Sequence, residues 1–139
     1  MKLETTTLEV RTTAETDILD LSEEVRRFVG STDIRQGWVL LFVPGSTGAI
    51  TTIEYESGAL NDLRRTLEQI APADGEYEHN LRWHDGNGYS HVRAALMGPS
   101  LVLPVLHGQP VTGTWQQIVL CDFDNRPRQR RVEVQVMGT

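Results

Sequence analysis

The sequence near the C-terminus alternates apolar and polar side chains with a period of two. Val132, Val134 and Val136 are apolar, and they alternate with Arg131, Glu133 and Gln135. Because successive side chains of a β-strand point to opposite faces, this pattern predicts a strand whose valines face inward. Residues 114–123 predict another strand, separated from the first by an Asn-Arg-Pro turn, as in a hairpin. The chain must therefore contain a sheet with a buried face.

Other segments extend this sheet and add helices. Residues 37–43 are continuously apolar, which predicts a central strand buried on both faces, and the β-branched residues 49–55 predict a strand paired with it. Apolar side chains that recur at three- and four-residue steps predict amphipathic helices near residues 18–30 and 60–72. The remaining predicted elements are strands at residues 3–11 and 101–106 and a short helix or turn at residues 92–97. This order predicts a single α+β domain over residues 1–139, with strands predominating.

Length and composition restrict the class of protein. A chain of 139 residues has the size of one domain, and no apolar run approaches the roughly 18 residues that a membrane span needs. The N-terminus lacks the apolar core of a secretory signal, so we expect a cytoplasmic protein. The net charge of −6 disfavours nucleic acid as a partner. The lone Cys121 lies in an apolar run and is expected to be a buried, inert thiol.

Three of the four histidines lie in one polar segment, residues 78–91. His79, His84 and His91 share it with Asp85 and two glycines. Imidazole is the commonest protein ligand for transition metals and titrates near neutral pH, so the segment suits metal binding or proton transfer. Separations of five and seven residues do not place the rings on one helical face, so a folded loop must bring them together. The alternative is an ordinary polar loop, in which such residues are common.

Several ordered blocks of the sequence resemble the YjbQ-like family. They are the histidine segment, the Ser90–Ser100 block that overlaps its end, and the blocks Gly113–Ile118, Pro44–Thr51 and Arg131–Gly138. Members of this family are described as secondary thiamine-phosphate synthases. The resemblance covers most of the chain from about Trp38. It implies a compact, mainly antiparallel α+β fold with a β-sandwich-like core and two or three helices, assembled as a homotrimer.

The resemblance also implies a pocket at the histidine segment that holds a divalent metal, zinc or magnesium. His79, His84 and His91 are the expected metal ligands. His91 and Asp85 are the expected catalytic groups, and Asp85 is either a fourth ligand or the group that orients an imidazole. Many relatives carry a histidine at the beginning of the block that reads Pro44-Gly45-Ser46-Thr47 here. We expect His84 to take the role of that missing side chain.

Two polar loops are candidate ligand-binding sites. Ser46 and Thr47 lie between two predicted strands, where their amides and hydroxyls either bind a phosphate oxygen or form an ordinary turn. Thr114, Trp115 and Gln116 open a predicted strand with polar groups beside an indole, which suits a small aromatic ligand. The alternative for this second loop is that Trp115 belongs to the core.

Arginines offer candidate anion contacts. Arg93, two residues after His91, is a candidate catalytic clamp for pyrophosphate, because a guanidinium pairs with phosphate oxygens through two donors. The alternative for Arg93 is a surface or interface ion pair. The four arginines between residues 126 and 131 are interpreted as solvated hairpin charge balanced by nearby aspartates, with anion recognition as the alternative.

Three functions stay open at this level. The first is a transferase that joins an aminopyrimidine methyl pyrophosphate to a thiazole phosphate, for which a metal, Arg93 and loop amides would neutralise the departing pyrophosphate. The second is a metal-dependent hydrolase or phosphatase, in which the histidine cluster activates water. The third is a non-catalytic module that binds a small ligand or a metal at a trimer interface. A small phosphorylated molecule is the expected ligand.

Overall fold

The structure is a computed structural model that describes residues 1–139 as two antiparallel sheets and four helices. The strands are β1 (Lys2–Arg11), β2 (Ile18–Asp20), β3 (Gln36–Phe42), β4 (Gly48–Ile53), β5 (Ser100–Leu106), β6 (Gln109–Pro110), β7 (Gln117–Asp122) and β8 (Gln129–Gly138). The helices are α1 (Ser22–Ser31), α2 (Ser57–Ile70), α3 (Glu78–Trp83) and α4 (Gly88–Met97). The predicted α+β class with mainly antiparallel strands is confirmed.

The larger sheet has the strand order β1-β8-β3-β5-β6, and the smaller sheet has the order β2-β7-β4. Strand β3 is central in the larger sheet, as its apolar sequence predicts. Strand β8 lies between β1 and β3, with Val134 opposite Thr6 on one side and Leu41 on the other. The longest strands therefore pair over their full lengths at one side of this sheet.

The main core lies between the two sheets. Val132, Val134 and Val136 are fully buried, which confirms the inward valine face of β8. They pack in one cluster with Ile118 and Leu120 of β7 in the opposite sheet. Burial of such a side chain contributes about 1.5 to 3 kcal/mol, so this cluster is the principal source of stability.

A second apolar cluster lies on the other face of the smaller sheet. There Val119 and Cys121 of β7 meet Leu60 and Leu67 of α2 and Ala94 of α4. Burial raises the pKa of the Cys121 thiol to about 12, in agreement with the inert thiol expected from the sequence. The smaller sheet is therefore a middle layer, with the larger sheet on one side and helices on the other.

Two strand pairings differ from the sequence-based expectation. Strand β4 does not pair with β3, because the chain crosses at residues 44–47 to the smaller sheet, where Ile50 lies opposite Leu120 of β7. Strands β7 and β8 do not form a hairpin, since their connection also crosses between the sheets. Apolar patterning identifies a strand, but it does not identify the neighbour with which that strand pairs.

The first helix and the outer face of β3 also differ from expectation. Helix α1 begins at Ser22, whereas Ile18 belongs to the short strand β2. Strand β3 is buried on one face only, because no other element of the chain packs on the outer face of the larger sheet. Trp38 and Phe42 on that face are 39% and 41% exposed. None of the four helices is both long enough and apolar enough to span a bilayer.

Candidate functional site

The histidine segment forms two short helices rather than a folded loop. Helix α3 ends at Trp83. His84, the residue that caps it, takes the left-handed conformation with φ 57°, and α4 begins at Gly88. A Cβ atom at Gly88 would lie 2.5 Å from Cβ of Tyr77, so only glycine permits this close approach. The side-chain oxygen of Asn80 accepts a hydrogen bond from the Gly88 amide at 2.9 Å. These contacts fix the position of α4 against α3.

The connection brings two of the three predicted imidazoles together. The ring centroids of His79 and His91 lie 4.4 Å apart, and both residues are half-buried. His79 Nδ1 is buried without a hydrogen bond and lies 3.4 Å from Oδ1 of Asp85. The same carboxylate oxygen accepts a hydrogen bond from the Asn87 amide at 3.1 Å. Asp85 is therefore positioned to hold His79, and His79 in turn packs against His91.

The third imidazole, His84, lies outside this group. Its position at the left-handed end of α3 leaves it exposed, and it lines neither of the cavities that contain His91. No group of three or more histidine, cysteine, aspartate or glutamate side chains is placed to share a metal ion. The ligand set expected from the sequence, His79, His84 and His91, is therefore not assembled within one chain. We assign no step of the chemistry to a metal.

His91 lies in the wall of a cavity of about 540 Å³ whose lining is mainly polar and charged. Its other walls come from the turn between β3 and β4, the connection before α4, and the segment that leads into β8. The lining residues besides His91 are Pro44, Gly45, Ser46, Thr47, Asp85, Asn87, Asp124, Asn125, Arg126, Arg128, Gln129, Arg130 and Arg131. Four arginines face two aspartates there, so the cavity carries excess positive charge in a chain of net charge −6.

Asp124 organises one side of this cavity. It is 1% exposed, and its Oδ2 accepts hydrogen bonds from Thr47 Oγ1 and Arg128 Nε, each at 3.0 Å. Oδ1 accepts a third bond from the Arg126 amide. Burial alone would raise the pKa of this carboxyl, but the three hydrogen bonds outweigh burial and hold the pKa below its ordinary value. Asp124 is thus an anion that fixes Thr47 and Arg128 at the cavity wall.

Arg130 joins the two sheets at the base of the cavity. It is 7% exposed and donates from Nε at 2.8 Å and from Nη2 at 2.6 Å to Oδ1 of Asp122 on β7. Nη2 also donates to Thr47 Oγ1 at 2.6 Å. Asp122 is fully buried, and burial raises the pKa of its carboxyl although Arg130 opposes the shift. This ion pair holds the β3–β4 turn, β7 and β8 together.

Arg93 does not reach this cavity. It is 2% exposed, donates to the Ala71 carbonyl at 2.9 Å, and pairs with Glu68 of α2 at 2.6 Å. Its guanidinium also lies 4.9 Å from the ring centroid of Tyr89. The structure thus places Arg93 in a contact between α2 and α4 rather than beside His91 as a pyrophosphate clamp.

Thr114, Trp115 and Gln116 are also far from His91. They line a separate, open depression at the Ile53 end of β4. The 540 Å³ cavity with the four arginines, hereafter the arginine-rich cavity, adjoins the other end, where Thr47 precedes Gly48. At about 3.4 Å per residue, the two ends of this strand are separated by about 17 Å. Trp115 is 73% exposed, so it does not belong to the core either.

A second, smaller cavity begins on the other side of His91. It has a volume of about 220 Å³, shares Gly45 and Ser46 with the larger cavity, and extends along Ala94 and Pro99. His91 therefore lies between a region rich in arginine and a region with small apolar walls. A ligand with an anionic end and an apolar body matches this arrangement.

Comparison with known proteins identifies the relatives of this chain. The family model described as UPF0047 protein YjbQ-like matches residues 6–139. The chain belongs to the YjbQ-like family. Its fold is that of this family, since a YbjQ-like protein of unknown function from Sulfolobus solfataricus has a similar structure. That protein superimposes with a TM-score of 0.89 at 28% identity, over 99% of this chain and 100% of the other.

YjbQ-like relatives of similar length occur in archaea and bacteria. A UPF0047 protein of Methanothermobacter thermautotrophicus is 38% identical over 138 residues, which are 99% of this chain and 94% of the relative. The UPF0047 protein YugU of Bacillus subtilis is 33% identical over 134 residues, which are 95% of this chain and 98% of the relative. The similarity therefore extends over whole chains.

The sequence predicts that Arg130 points inward, although the other arginines around it suggest a solvated surface. In strand β8, Arg130 lies two residues before Val132, so both side chains are on the same, inward face. Asp122 has the same parity as Ile118 and Leu120, which face the larger sheet from β7. An arginine and an aspartate on facing inward positions predict a buried ion pair. Interpreting the arginines as solvated hairpin charge balanced by Asp122 and Asp124 gave the right partners, but it missed the burial of the Arg130–Asp122 pair, because β7 and β8 do not form a hairpin.

Proposed function

We propose that this YjbQ-like chain is an enzyme of small phosphorylated metabolites and that His91 transfers a proton in its reaction. The observation that carries the proposal is the position of His91 between the arginine-rich cavity and the smaller apolar one. Such a position places an imidazole, which can donate or accept a proton, at the junction between a phosphate and the organic part of a ligand. His79 and Asp85 support this role by fixing the imidazole from behind.

The reaction class proposed first is transfer with departure of pyrophosphate. In the thiamine-phosphate synthase reaction that the family resemblance implies, the bond from the pyrimidine methylene to pyrophosphate breaks, and the thiazole nitrogen forms a new bond to that carbon. The departing pyrophosphate takes the electron pair and gains negative charge. Arg128 and Arg126 at the cavity wall would neutralise that charge, which is larger in the transition state than in the bound substrate. His91 would donate a proton to the leaving oxygen.

Hydrolysis of a phosphate ester is the second candidate. The contact of His91 with the His79 ring, which Asp85 holds from its other side, favours it, because a base that activates water must be held in a fixed orientation. In that reaction the water oxygen would form a bond to phosphorus while His91 accepts its proton. The bond from phosphorus to the ester oxygen would break, and His91 would return the proton to that oxygen. The arginines would stabilise the charge on the phosphoryl oxygens.

Product analysis separates these candidates. Purified protein would be incubated with the pyrimidine pyrophosphate and the thiazole phosphate, and separately with phenyl phosphate, and products would be quantified by chromatography. Formation of thiamine phosphate supports the transferase, and release of phenol supports the hydrolase. If neither product exceeds the background, the enzyme proposal fails and a non-catalytic binding module replaces it.

We also propose the homotrimer that the family resemblance implies, with contacts on the outer face of the larger sheet. This face carries apolar side chains on neighbouring strands, with the exposed Trp38 opposite Pro104 and the half-buried Leu40 opposite the exposed Val102. A continuous apolar face that no other element of the chain covers is typical of an interaction site. Light scattering is expected to give three times the 15.6 kDa mass of one chain. The Val102→Glu variant is expected to dissociate, because it would bury a carboxylate in that contact.

The matched control for this assembly is Leu81→Glu, which places the same charge at an exposed leucine of α3. It should keep the mass of the parent protein. A mass of one chain for the parent at micromolar concentration contradicts the trimer. Equal masses for the parent and the Val102→Glu variant would place the contact elsewhere.

A further inference from the structure

Arg130 has one guanidinium nitrogen that no protein group satisfies. Nε and Nη2 donate to Asp122 and Thr47, whereas Nη1 makes no hydrogen bond. The residue is 7% exposed and lines the larger cavity. A Cβ atom built on Gly45 would approach Nη1 to 2.9 Å, so this nitrogen lies against the β3–β4 turn. A buried cation thus presents a free donor at the point where the cavity meets that turn.

The turn itself presents further free donors. The backbone N–H groups of Gly45, Ser46 and Thr47 make no hydrogen bond within the chain, although all three residues line the cavity. Gly45 has φ 120°, a conformation that few other residues adopt. Successive free amides next to a glycine of this conformation resemble the backbone concavities that bind anions. They belong to the same turn that Nη1 of Arg130 approaches.

We infer that Arg130 and the turn of Gly45, Ser46 and Thr47 bind the phosphate group of the ligand and so form a phosphate anchor. This inference rests on the proposed function, because it names the group of a phosphorylated metabolite that anchors it in the cavity. A tetrahedral phosphate accepts from several donors at once, which suits a guanidinium nitrogen beside adjacent amides. Asp122 is the positioning residue, since it holds two of the guanidinium nitrogens and leaves the third directed at the anion.

The anchor orients the rest of the ligand. Gly45 and Ser46 line the smaller cavity as well, in which Ala94 and Pro99 supply apolar walls. A phosphate held at this turn therefore directs its organic substituent past His91 into that cavity. The structure thus favours a phosphomonoester with a small apolar or aromatic body over free inorganic phosphate.

The test uses the whole protein and two probes, inorganic phosphate and phenyl phosphate. Nitrogen-15 NMR of the arginine side chains would be recorded at constant ionic strength with chloride as the reference anion. Both phosphates should shift the Arg130 signals in a saturable manner, and phenyl phosphate should bind more tightly. Arg93 is the internal control, because it is equally buried and ion-paired but lines no cavity with His91. Its signals should stay constant.

Phosphate affinity of substituted variants provides a second test. Arg130→Lys keeps the charge beside Asp122 but removes the forked donor, so phosphate affinity should fall about tenfold or more. Arg65→Lys, which changes an exposed arginine paired with Asp62 on α2, should leave the affinity unchanged. Unchanged Arg130 signals at saturating phenyl phosphate would overturn the inference, as would equal affinities of the parent and a folded Arg130→Lys variant.

The anchor and the proposed enzyme can fail separately. Phosphate binding at Arg130 without thiamine phosphate or phenol as a product would support the phosphate anchor and contradict the proposed catalysis. Turnover that depends on His91 without a shift of the Arg130 signals would do the reverse.

Discussion

Replacement of His91 with alanine is expected to lower turnover by about a hundredfold or more, in whichever of the two reactions the protein catalyses. The reason is that His91 is the only imidazole that lines the arginine-rich cavity, and loss of a positioned acid or base typically has this effect. The side chain is half-buried at the surface of α4, so the fold should be retained. The rate would be measured at saturating substrate, and the melting temperature would confirm folding.

His84→Asn is the matched control for this variant. Asparagine tolerates the left-handed conformation that His84 adopts, so the substitution removes an imidazole without straining the end of α3. Its turnover should match that of the parent. If the His84 variant loses as much activity as the His91 variant, His84 acts in the site and its exposed position is not the functional one. If the His91 variant is fully active, proton transfer by His91 is excluded.

Asp122→Ala is expected to lower the free energy of unfolding by about 3 to 5 kcal/mol. This substitution leaves the buried Arg130 guanidinium without its carboxylate, and an uncompensated buried charge has a cost of this size. Asp62→Ala breaks an exposed pair on α2 and should change the stability by about 1 kcal/mol or less. Urea denaturation of both variants would give the comparison.

A double variant separates the stability of this ion pair from its function. Asp122→Leu combined with Arg130→Met replaces both charges with apolar groups, and such replacements often restore stability. We expect the double variant to unfold near the parent's denaturant midpoint and yet to have lost phosphate binding. A double variant that binds phosphate like the parent would show that Arg130 is only structural. A single Asp122→Ala variant as stable as the parent would contradict the burial of the pair.

Much of the fold could be predicted from local patterns. The valine alternation identified β8 and its inward face, and the apolar run identified β3 as a central strand. Leu60 and Leu67 fall on the buried side of a helix that ends at Ile70, as their spacing predicts. These features depend on one element at a time, so periodicity is sufficient to find them.

Strand partners and the site could not be predicted in the same way. Strands β4 and β8 each follow a connection that crosses from one sheet to the other, and no local pattern distinguishes such a connection from a hairpin turn. That error also concealed the burial of the Arg130–Asp122 pair between the sheets. For the histidines, spacing gave no guide to which side chains meet. His84 is the exposed left-handed residue that follows α3, whereas His79 and His91 pack together. Arg93 was close to His91 in sequence, yet the helix turns its side chain towards Glu68.

The ligand should bind where His91 and Arg130 line the same cavity. A crystal structure of the protein with bound pyrophosphate is the decisive experiment. Pyrophosphate is expected with one phosphoryl group at Nη1 of Arg130 and the amides of the β3–β4 turn, within reach of the His91 imidazole. Pyrophosphate bound instead beside Trp115, about 17 Å away along β4, would contradict it.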